Sequence, residues 1–300
     1  EPIILSEMPD RRQRLQTELS RRGAGKSGPD GEGDMILIGE RINAGFKDIG
    51  RAIREKAKEP IQEWARKQAA AGARYLDLNI GAVSKDPKDM AWLVRVVQEA
   101  VPTPIAVDST QPDILRAGLE ALDGRPALIN STTAEDEKLK RIIPLAVEYG
   151  ASLIGVVSDE RGSPQDVARR VENAAKIFAA ATEAGLTPDR IFLDPILMPI
   201  RFMQDQAKKV LEAIREFTLL SDPPPHISVG LSNISSGAKE RRLLARTFLV
   251  MAMAAGLDAA ICDVLDEELR AAVATAELIL NREIYSDEYL KVWAVRKGGR

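Results

Sequence analysis

The 300-residue chain contains one cysteine, Cys262, and one histidine, His226. A single cysteine excludes a disulfide framework or a cysteine-based metal cluster within one chain, and it fits a reducing, cytoplasmic compartment. A single histidine leaves little room for a histidine-rich zinc site or for Ser-His-Asp hydrolysis. We therefore predict no metal site and expect Asp, Asn, Glu, Ser and Arg side chains to carry the polar chemistry.

The chain also lacks an excess of either charge, since 42 basic and 45 acidic residues leave a formal net charge of −3. This balance provides no basic field for nucleic acid and no reason to expect a membrane surface as partner. No apolar run approaches the roughly 20 residues of a membrane span, and residues 1–34 lack the apolar core of a secretory signal. We expect a soluble protein with neither nucleic acid nor membrane as partner.

Beyond residue 34, short apolar runs alternate with longer amphipathic stretches, the sequence form of repeated βα units. Residues 1–34 are charged and glycine-rich, which predicts an extension and linker before one domain over 35–300. The predicted strands are 35–41, 75–80, 104–109, 127–131, 152–158, 191–194, 227–233 and 259–264. The predicted helices are 60–71, 87–100, 112–122, 135–149, 164–184, 204–220, 239–255 and 266–281. Eight units predict an α/β fold that closes into a (β/α)₈ TIM barrel.

Side-chain alternation predicts which residues face the barrel interior. Asp108 shares a strand face with Ala106, and Asn233 shares one with Leu231 and Val229. The same alternation predicts inward-facing polar residues at the carboxyl ends of five strands: Asp77, Asn79, Asp108, Asn130, Asp194 and Asn233. TIM-barrel enzymes place their active sites at these ends. A polar pocket with few cations suits a flat ligand with a guanidine-like edge, such as a pterin, because a carboxylate accepts two parallel N–H bonds from that edge.

Several strings in this region resemble the pterin-binding methyltransferases, and most closely the enzymes that act on methyltetrahydrofolate and a corrinoid protein. The strings are IGERIN at 38–43, LDLN at 76–79, VDST at 107–110, INST at 129–132, LDP at 193–195 and GLSN at 230–233. The resemblance runs in order from residue 35 to about residue 289. It implies a barrel similar to that of dihydropteroate synthase.

The resemblance also implies roles for individual residues. Pterin-binding positions fall on Asp108, Asn130 and Asp194, and the asparagine that meets the folate N5 falls on Asn233. Asn79 and Ser236 are predicted to complete the pterin site, although the family carries glutamine where Ser236 stands. Asp77 is predicted to hold a water or proton relay and, with Asn233, to form the catalytic pair.

The implied reaction moves a methyl group between N5 of methyltetrahydrofolate and the cobalt of a corrinoid, or cobalamin, carried by a partner protein. The resemblance further implies a homodimer. Two alternatives remain open, namely a dihydropteroate synthase-like enzyme and a non-catalytic subunit that binds a pterin or a corrinoid protein. Other polar residues are interpreted as structural: Glu40 and Arg41 as an ion pair at the rim, and His226 as a residue at the bottom of strand seven. Arg241 and Arg242 are either contacts for the folate glutamate carboxylates or a solvated helix start.

Overall fold

The computed structural model of the protein describes residues 35–283. Eight parallel strands close into one barrel in chain order. The strands are β1 (Ile36–Asn43), β2 (Tyr75–Asn79), β3 (Ile105–Asp108), β4 (Ala127–Thr133), β5 (Ser152–Val156), β6 (Ile191–Asp194), β7 (His226–Gly230) and β8 (Ala259–Cys262). The predicted TIM barrel is therefore confirmed. The predicted linker over residues 1–34 lies outside the described residues.

Helices follow the strands around the barrel. Within residues 35–283 they are α1 (Lys47–Glu55), α2 (Lys58–Ala70), α3 (Pro87–Gln98), α4 (Pro112–Ala121), α5 (Asp136–Glu148), α6 (Val167–Glu183), α7 (Gln204–Phe217), α8 (Arg241–Ala255) and α9 (Glu267–Ile279). Eight of them match the predicted helices, and α1 was not predicted. Ile49, Ala52 and Ile53 give α1 a buried face at helical spacing. Gly50 lets that face approach the barrel, because a Cβ there would lie 2.6 Å from the Ala44 carbonyl oxygen.

The strands separate two apolar layers. A small interior cluster fills the barrel with Ile36, Ile38, Tyr75, Ala106, Leu128, Ile154, Phe192 and Ala259. A larger cluster packs the outward strand residues, such as Leu76, Val107 and Ile129, against the helices. The predicted inward faces of β3, β4 and β6 are confirmed. Because alternate residues share a face, Asp108, Asn130 and Asp194 continue the inward rows at the carboxyl ends.

Strand seven differs from its prediction. β7 ends at Gly230, and residues Leu231–Ser235 form a 3₁₀ turn in place of the predicted strand end. Val229 and Leu231 pack in the outer apolar cluster, and Ser228 is fully buried on the opposite strand face. The prediction that Asn233 shares an inward face with Val229 and Leu231 is therefore wrong. Asn233 reaches the barrel mouth through the turn.

The amino end of the barrel holds the single histidine. His226 Nδ1 lies 2.7 Å from Asp258 Oδ2, and the imidazole stacks on Phe192 with ring centroids 4.5 Å apart. These contacts join β7 to the segment that leads into β8, as expected for a structural residue. None of the helices in residues 35–283 has the length and apolar character to cross a membrane.

Candidate active site

A cavity of about 670 Å³ opens at the carboxyl ends of the strands. Small-molecule sites commonly occupy roughly 300–1,000 Å³, so this space suits a ligand of drug or cofactor size. Its polar wall residues are Glu40, Asn43, Asp77, Asp108, Asn130, Ser232, Asn233, Ser235, Arg241, Arg242, Asp263 and Asp266. Among the described residues, no group of three or more His, Cys, Asp or Glu side chains is arranged to hold a metal ion.

The cavity brings together some of the residues predicted for the site. Asp77, Asp108, Asn130 and Asn233 line its wall. The other predicted residues, Asn79, Asp194 and Ser236, are not part of the wall.

Two aspartates at the floor of the cavity share a hydrogen bond. Burial raises the pKa of Asp77 well above its usual range, and the charge of Asp108 raises it further. Burial raises the pKa of Asp108 to about 6, against hydrogen bonds from Asn79 and Asp77 that lower it. Within the pair, Asp77 donates this hydrogen bond and holds its proton more strongly, and Asp108 is the more readily ionised partner.

Two asparagines hold this pair in place. Asn79 Nδ2 donates to Asp108 Oδ2 at 2.7 Å, and Asn130 Nδ2 donates to Asp77 Oδ1 at 3.0 Å. Asn79 thus contacts Asp108 from outside the cavity wall. The four side chains come from three neighbouring strands, β2, β3 and β4, whose registers align Asn79 with Asp108 and Asp108 with Asn130.

Asp194 lies at the end of β6, beside the cavity wall. Its carboxylate accepts a hydrogen bond from the Ile196 N–H at 2.7 Å and another from the N–H of the wall residue Gly230. Burial nevertheless raises the pKa of Asp194 to about 6. Ile196 has a φ of 66°, a left-handed conformation that is rare for a β-branched residue.

The turn after β7 presents Asn233 to the cavity. Asn233 is exposed, whereas its neighbours Leu231 and Ile234 are buried and anchor the turn. A Cβ at Gly230 would lie 2.9 Å from Asn233 Nδ2, so the glycine leaves space for the amide to fold back. The Ser236 N–H donates to the Asn233 carbonyl oxygen at 3.1 Å and closes the turn. Ser235, rather than Ser236, lines the wall.

One side of the wall carries residues that the sequence analysis did not assign to the site. Glu40 lines the cavity and accepts a hydrogen bond from Ser232 Oγ at 2.7 Å. Burial raises the pKa of Glu40, and Asp263 raises it further against the opposing charge of Arg241. The inward alternation of β1, in which Ile36 and Ile38 precede Glu40, was the signal for this position.

The predicted ion pair between Glu40 and Arg41 is wrong. Arg41 pairs with Asp48 at 2.7 Å, and its guanidinium lies between the rings of Phe46 and Trp64. Successive strand residues point to opposite faces, so Glu40 and Arg41 diverge.

Two arginines at the start of α8 also line the wall. Arg241 and Arg242 lie on the helix that follows the Asn233 turn. Arg242 Nε lies 3.8 Å from Asp266 Oδ2. The cavity therefore combines carboxylates and amides at its floor with a cationic segment in its wall.

The chain is similar in sequence to known proteins. The chain is 33% identical over 273 residues to the methylcorrinoid:tetrahydrofolate methyltransferase of Eubacterium limosum, covering 88% of this chain and 98% of that protein. It is 32% identical over 244 residues to the methionine synthase of Mycobacterium tuberculosis, which covers 77% of this chain but only 20% of that longer protein.

Solved structures resemble the fold. The dihydropteroate synthase of Thermus thermophilus superimposes with a TM-score of 0.61 at 20% identity, covering 82% of this chain and 94% of that chain. The enzyme from Coxiella burnetii gives a TM-score of 0.62 at 14% identity, covering 84% and 94%. At these identities the likeness establishes the barrel alone. The model of the family described as "Pterin binding enzyme" matches residues 39–263, which span every strand from β1 to β8, and the chain belongs to that family.

Proposed function

We propose that this protein transfers a methyl group between N5 of methyltetrahydrofolate and the cobalt of a corrinoid carried by a partner protein. Membership of the pterin-binding enzymes and the near full-length match to the Eubacterium limosum methyltransferase support the proposal. The observation that carries it is one cavity whose wall combines Asp108 and Asn130 with Asn233.

In this proposal the guanidine-like edge of the pterin binds to Asp108, Asn130 and Asp194. Ionised carboxylates accept paired N–H bonds, and the pKa values of about 6 leave Asp108 and Asp194 ionised above neutral pH. Asn79 supports this contact through its hydrogen bond to Asp108. Ser236 supports the pterin side by closing the turn that carries Asn233.

Asn233 is assigned to the reacting nitrogen. Co(I) attacks the methyl carbon, the C–N5 bond breaks, and its electron pair remains on N5. The side-chain amide of Asn233 donates a hydrogen bond that strengthens as this charge develops. Interactions that are stronger in the transition state than in the ground state are the ones that raise the rate. In the reverse direction the same contact weakens as the N5 electron pair forms the new bond to the methyl carbon.

N5 must also gain a proton when it loses the methyl group, and an asparagine amide does not supply one. Asp77 lines the cavity, and burial raises its pKa well above the usual range, which favours its protonated form. We assign Asp77 to hold this proton and to pass it to N5 through water. The proton returns by the same route when methyl transfer runs toward the folate.

The assembly follows from the same proposal. The corrinoid reaches the cavity from outside the barrel mouth, so a partner protein that carries it must dock at that end. The protein functions as a homodimer in the cytoplasm, with each barrel keeping its own cavity. In this proposal the folate and the corrinoid are both substrates.

Turnover tests the proposal directly. The purified protein is mixed with methyltetrahydrofolate and free Co(I) cobalamin in a stopped-flow spectrometer, and the cobalt spectrum is followed. We expect the Co(I) band to disappear as methylcobalamin forms, and tetrahydrofolate with methylcobalamin to react in the reverse assay. Asp108→Ala is the matched inactive control, because it removes the side-chain carboxylate that is proposed to bind the pterin.

The alternatives give different results in the same experiments. A protein that binds methyltetrahydrofolate but transfers no methyl group in either direction is a non-catalytic binding subunit. Condensation of a pterin pyrophosphate with p-aminobenzoate would instead identify a dihydropteroate synthase. Either outcome contradicts the proposed methyl transfer.

A further inference from the structure

A second concavity of about 650 Å³ lies beside the cavity, between α1 and the loop that follows β2. We call it the α1 groove. Lys47, Arg51 and Arg54 of α1 line one side, and Ala82 and Val83 line the other. Gly45 lines both this groove and the main cavity, so the two spaces meet at the barrel mouth.

The cations of the α1 groove lack acidic partners. Lys47, Arg51 and Arg54 stand at positions i, i+4 and i+7, which share one face of a helix. None of the three forms an ion pair or a side-chain hydrogen bond with any residue in the described part of the chain.

Asp48 is the one acidic residue among the described residues that line the groove. Its carboxylate is occupied by Arg41 at 2.7 Å and by Trp64 Nε1 at 3.0 Å. The positive charge of the groove is therefore uncompensated, in a protein whose formal net charge is −3.

We propose that the α1 groove binds the glutamate extension of a folate that carries several γ-linked glutamates. Each γ-linked unit adds one α-carboxylate, and successive carboxylates lie roughly 6 Å apart when the extension is straight, by ordinary bond lengths. Neighbouring cations on one helix face are spaced about 5–6 Å apart at their Cβ atoms. The extension and the helix thus present opposite charges at similar intervals.

The inference rests on the proposed function, because a folate must first occupy the main cavity. With the pterin at the floor, the glutamate end of the molecule points out of the mouth, and Gly45 marks the passage into the groove. Exposed ion pairs are individually weak, so the groove contributes through several pairs at once. Salt screens such contacts, and the contribution must disappear at high ionic strength.

Calorimetric titration with two probes tests the inference. Methyltetrahydrofolate monoglutamate and triglutamate are titrated separately into the 300-residue protein at low salt. We expect the triglutamate to bind about tenfold more tightly than the monoglutamate, because several weak exposed ion pairs contribute together. The double variant Arg51→Ala/Arg54→Ala should reduce this preference to less than about twofold and leave monoglutamate affinity unchanged. At high NaCl concentration, about 0.5 M, the wild-type preference should also vanish.

A matched control removes the same charge elsewhere. Arg125 and Arg141 are exposed residues outside both the groove and the cavity. Arg125→Ala/Arg141→Ala should keep the wild-type preference, and thermal melts should show that both double variants fold.

Several results overturn the inference. Equal affinity of wild type for the two probes does so, as does a preference that survives the Arg51 and Arg54 substitutions. A third result is a double variant that binds both folates as wild type does and loses activity only with a protein-bound corrinoid. That result would identify the groove as a docking surface for an acidic protein. Failure of the monoglutamate itself to bind would instead contradict the proposed function.

Discussion

Asn233 is the residue whose side chain most directly separates binding from catalysis. It is exposed at the cavity wall. In the proposed function, its contact with N5 matters only while charge develops on that atom. We expect Asn233→Ala to bind methyltetrahydrofolate nearly as well as wild type and to slow the chemical step about 10²–10³-fold. Stopped-flow oxidation of Co(I) cobalamin at saturating folate measures that step. An unchanged rate would make the residue a structural part of the turn.

Gly230 offers an independent check of the same contact. A Cβ there would lie 2.9 Å from Asn233 Nδ2 and displace the amide without deleting it. Gly230→Ala should therefore slow methyl transfer at saturating folate in the stopped-flow assay, with a smaller loss than Asn233→Ala. Ser228→Ala is the matched control, because it changes a buried residue of the same strand away from the turn. A full rate in Gly230→Ala would show that the position of the amide is not critical.

Asp194 couples pH to stability and, in the proposed function, to ligand binding. The pKa of Asp194 is about 6 in the folded state, whereas the pKa of an aspartate in an unfolded chain is about 3.9. The folded state therefore binds this proton more tightly, and the free energy of unfolding falls as pH rises from about 4 to about 6. Above about pH 6, the free energy of unfolding is therefore roughly 3 kcal/mol lower than below about pH 4 because of this one group.

Asp194→Asn removes this titration. The free energy of unfolding of the variant minus that of wild type should rise by roughly 3 kcal/mol between about pH 4 and pH 7, and stay flat above that range. Urea denaturation across this range measures it. The same variant should bind folate about 1.5–3 kcal/mol more weakly at neutral pH, the usual worth of a hydrogen bond to a charged group. A stability difference that is constant with pH would contradict the raised pKa.

At the scale of elements, the loop between β6 and α7 depends on a buried cation from α6. Arg170 is fully buried, and its Nε donates to the Pro195 carbonyl oxygen at 2.9 Å. Its Nη2 donates to Gln206 Oε1 of α7 at 2.9 Å. The peptide that Arg170 holds precedes Ile196, whose N–H contacts the Asp194 carboxylate. Arg170 is therefore a positioning residue for Asp194.

Arg170→Met should affect both stability and folate binding. It leaves two buried acceptors unpaired, which costs roughly 2–4 kcal/mol of unfolding free energy. Loss of the Ile196 contact should also raise the pKa of Asp194 and move the pH at which folate affinity falls to a higher value. Gln206→Leu is the control, since it removes one partner and leaves the contact with Pro195. A stability loss in Arg170→Met with an unchanged pH profile of binding would restrict Arg170 to a structural role.

The whole molecule carries exposed apolar side chains on two adjacent helices. Leu243 and Met251 of α8 are 57% and 52% exposed, and Ile279 of α9 is 77% exposed. Apolar surface of this kind is typical of an interface. We predict that this α8–α9 face forms the homodimer, so Met251→Glu should sediment as a monomer while wild type sediments as a dimer. Val147→Glu on α5, where Val147 is 46% exposed, is the control and should remain dimeric. A dimeric Met251→Glu would exclude this face.

Most of the barrel followed from periodicity alone. Alternation along β3, β4 and β6 predicted that Asp108, Asn130 and Asp194 continue the inward rows, because a strand sends successive side chains to opposite faces whatever surrounds it. Helical spacing likewise predicted eight of the nine helices in the described residues. Helix α1 was not predicted because it is short and contains Gly50, so its buried apolar residues repeat over too few turns to indicate a helix.

Only the tertiary structure decided how those residues meet. The sequence by itself determined the barrel, the inward carboxylates and their order along the chain. It did not determine that Asp77 and Asp108 share a hydrogen bond, that the Gly230 N–H reaches Asp194, or that Asn233 stands on a turn and not on a strand. Nor did it show that Arg41 turns to Asp48 and leaves Glu40 in the cavity wall. Alternation and helical period depend on neighbours along the chain, whereas pKa values, hydrogen-bond partners and turn geometry depend on atoms that only the closed barrel brings together.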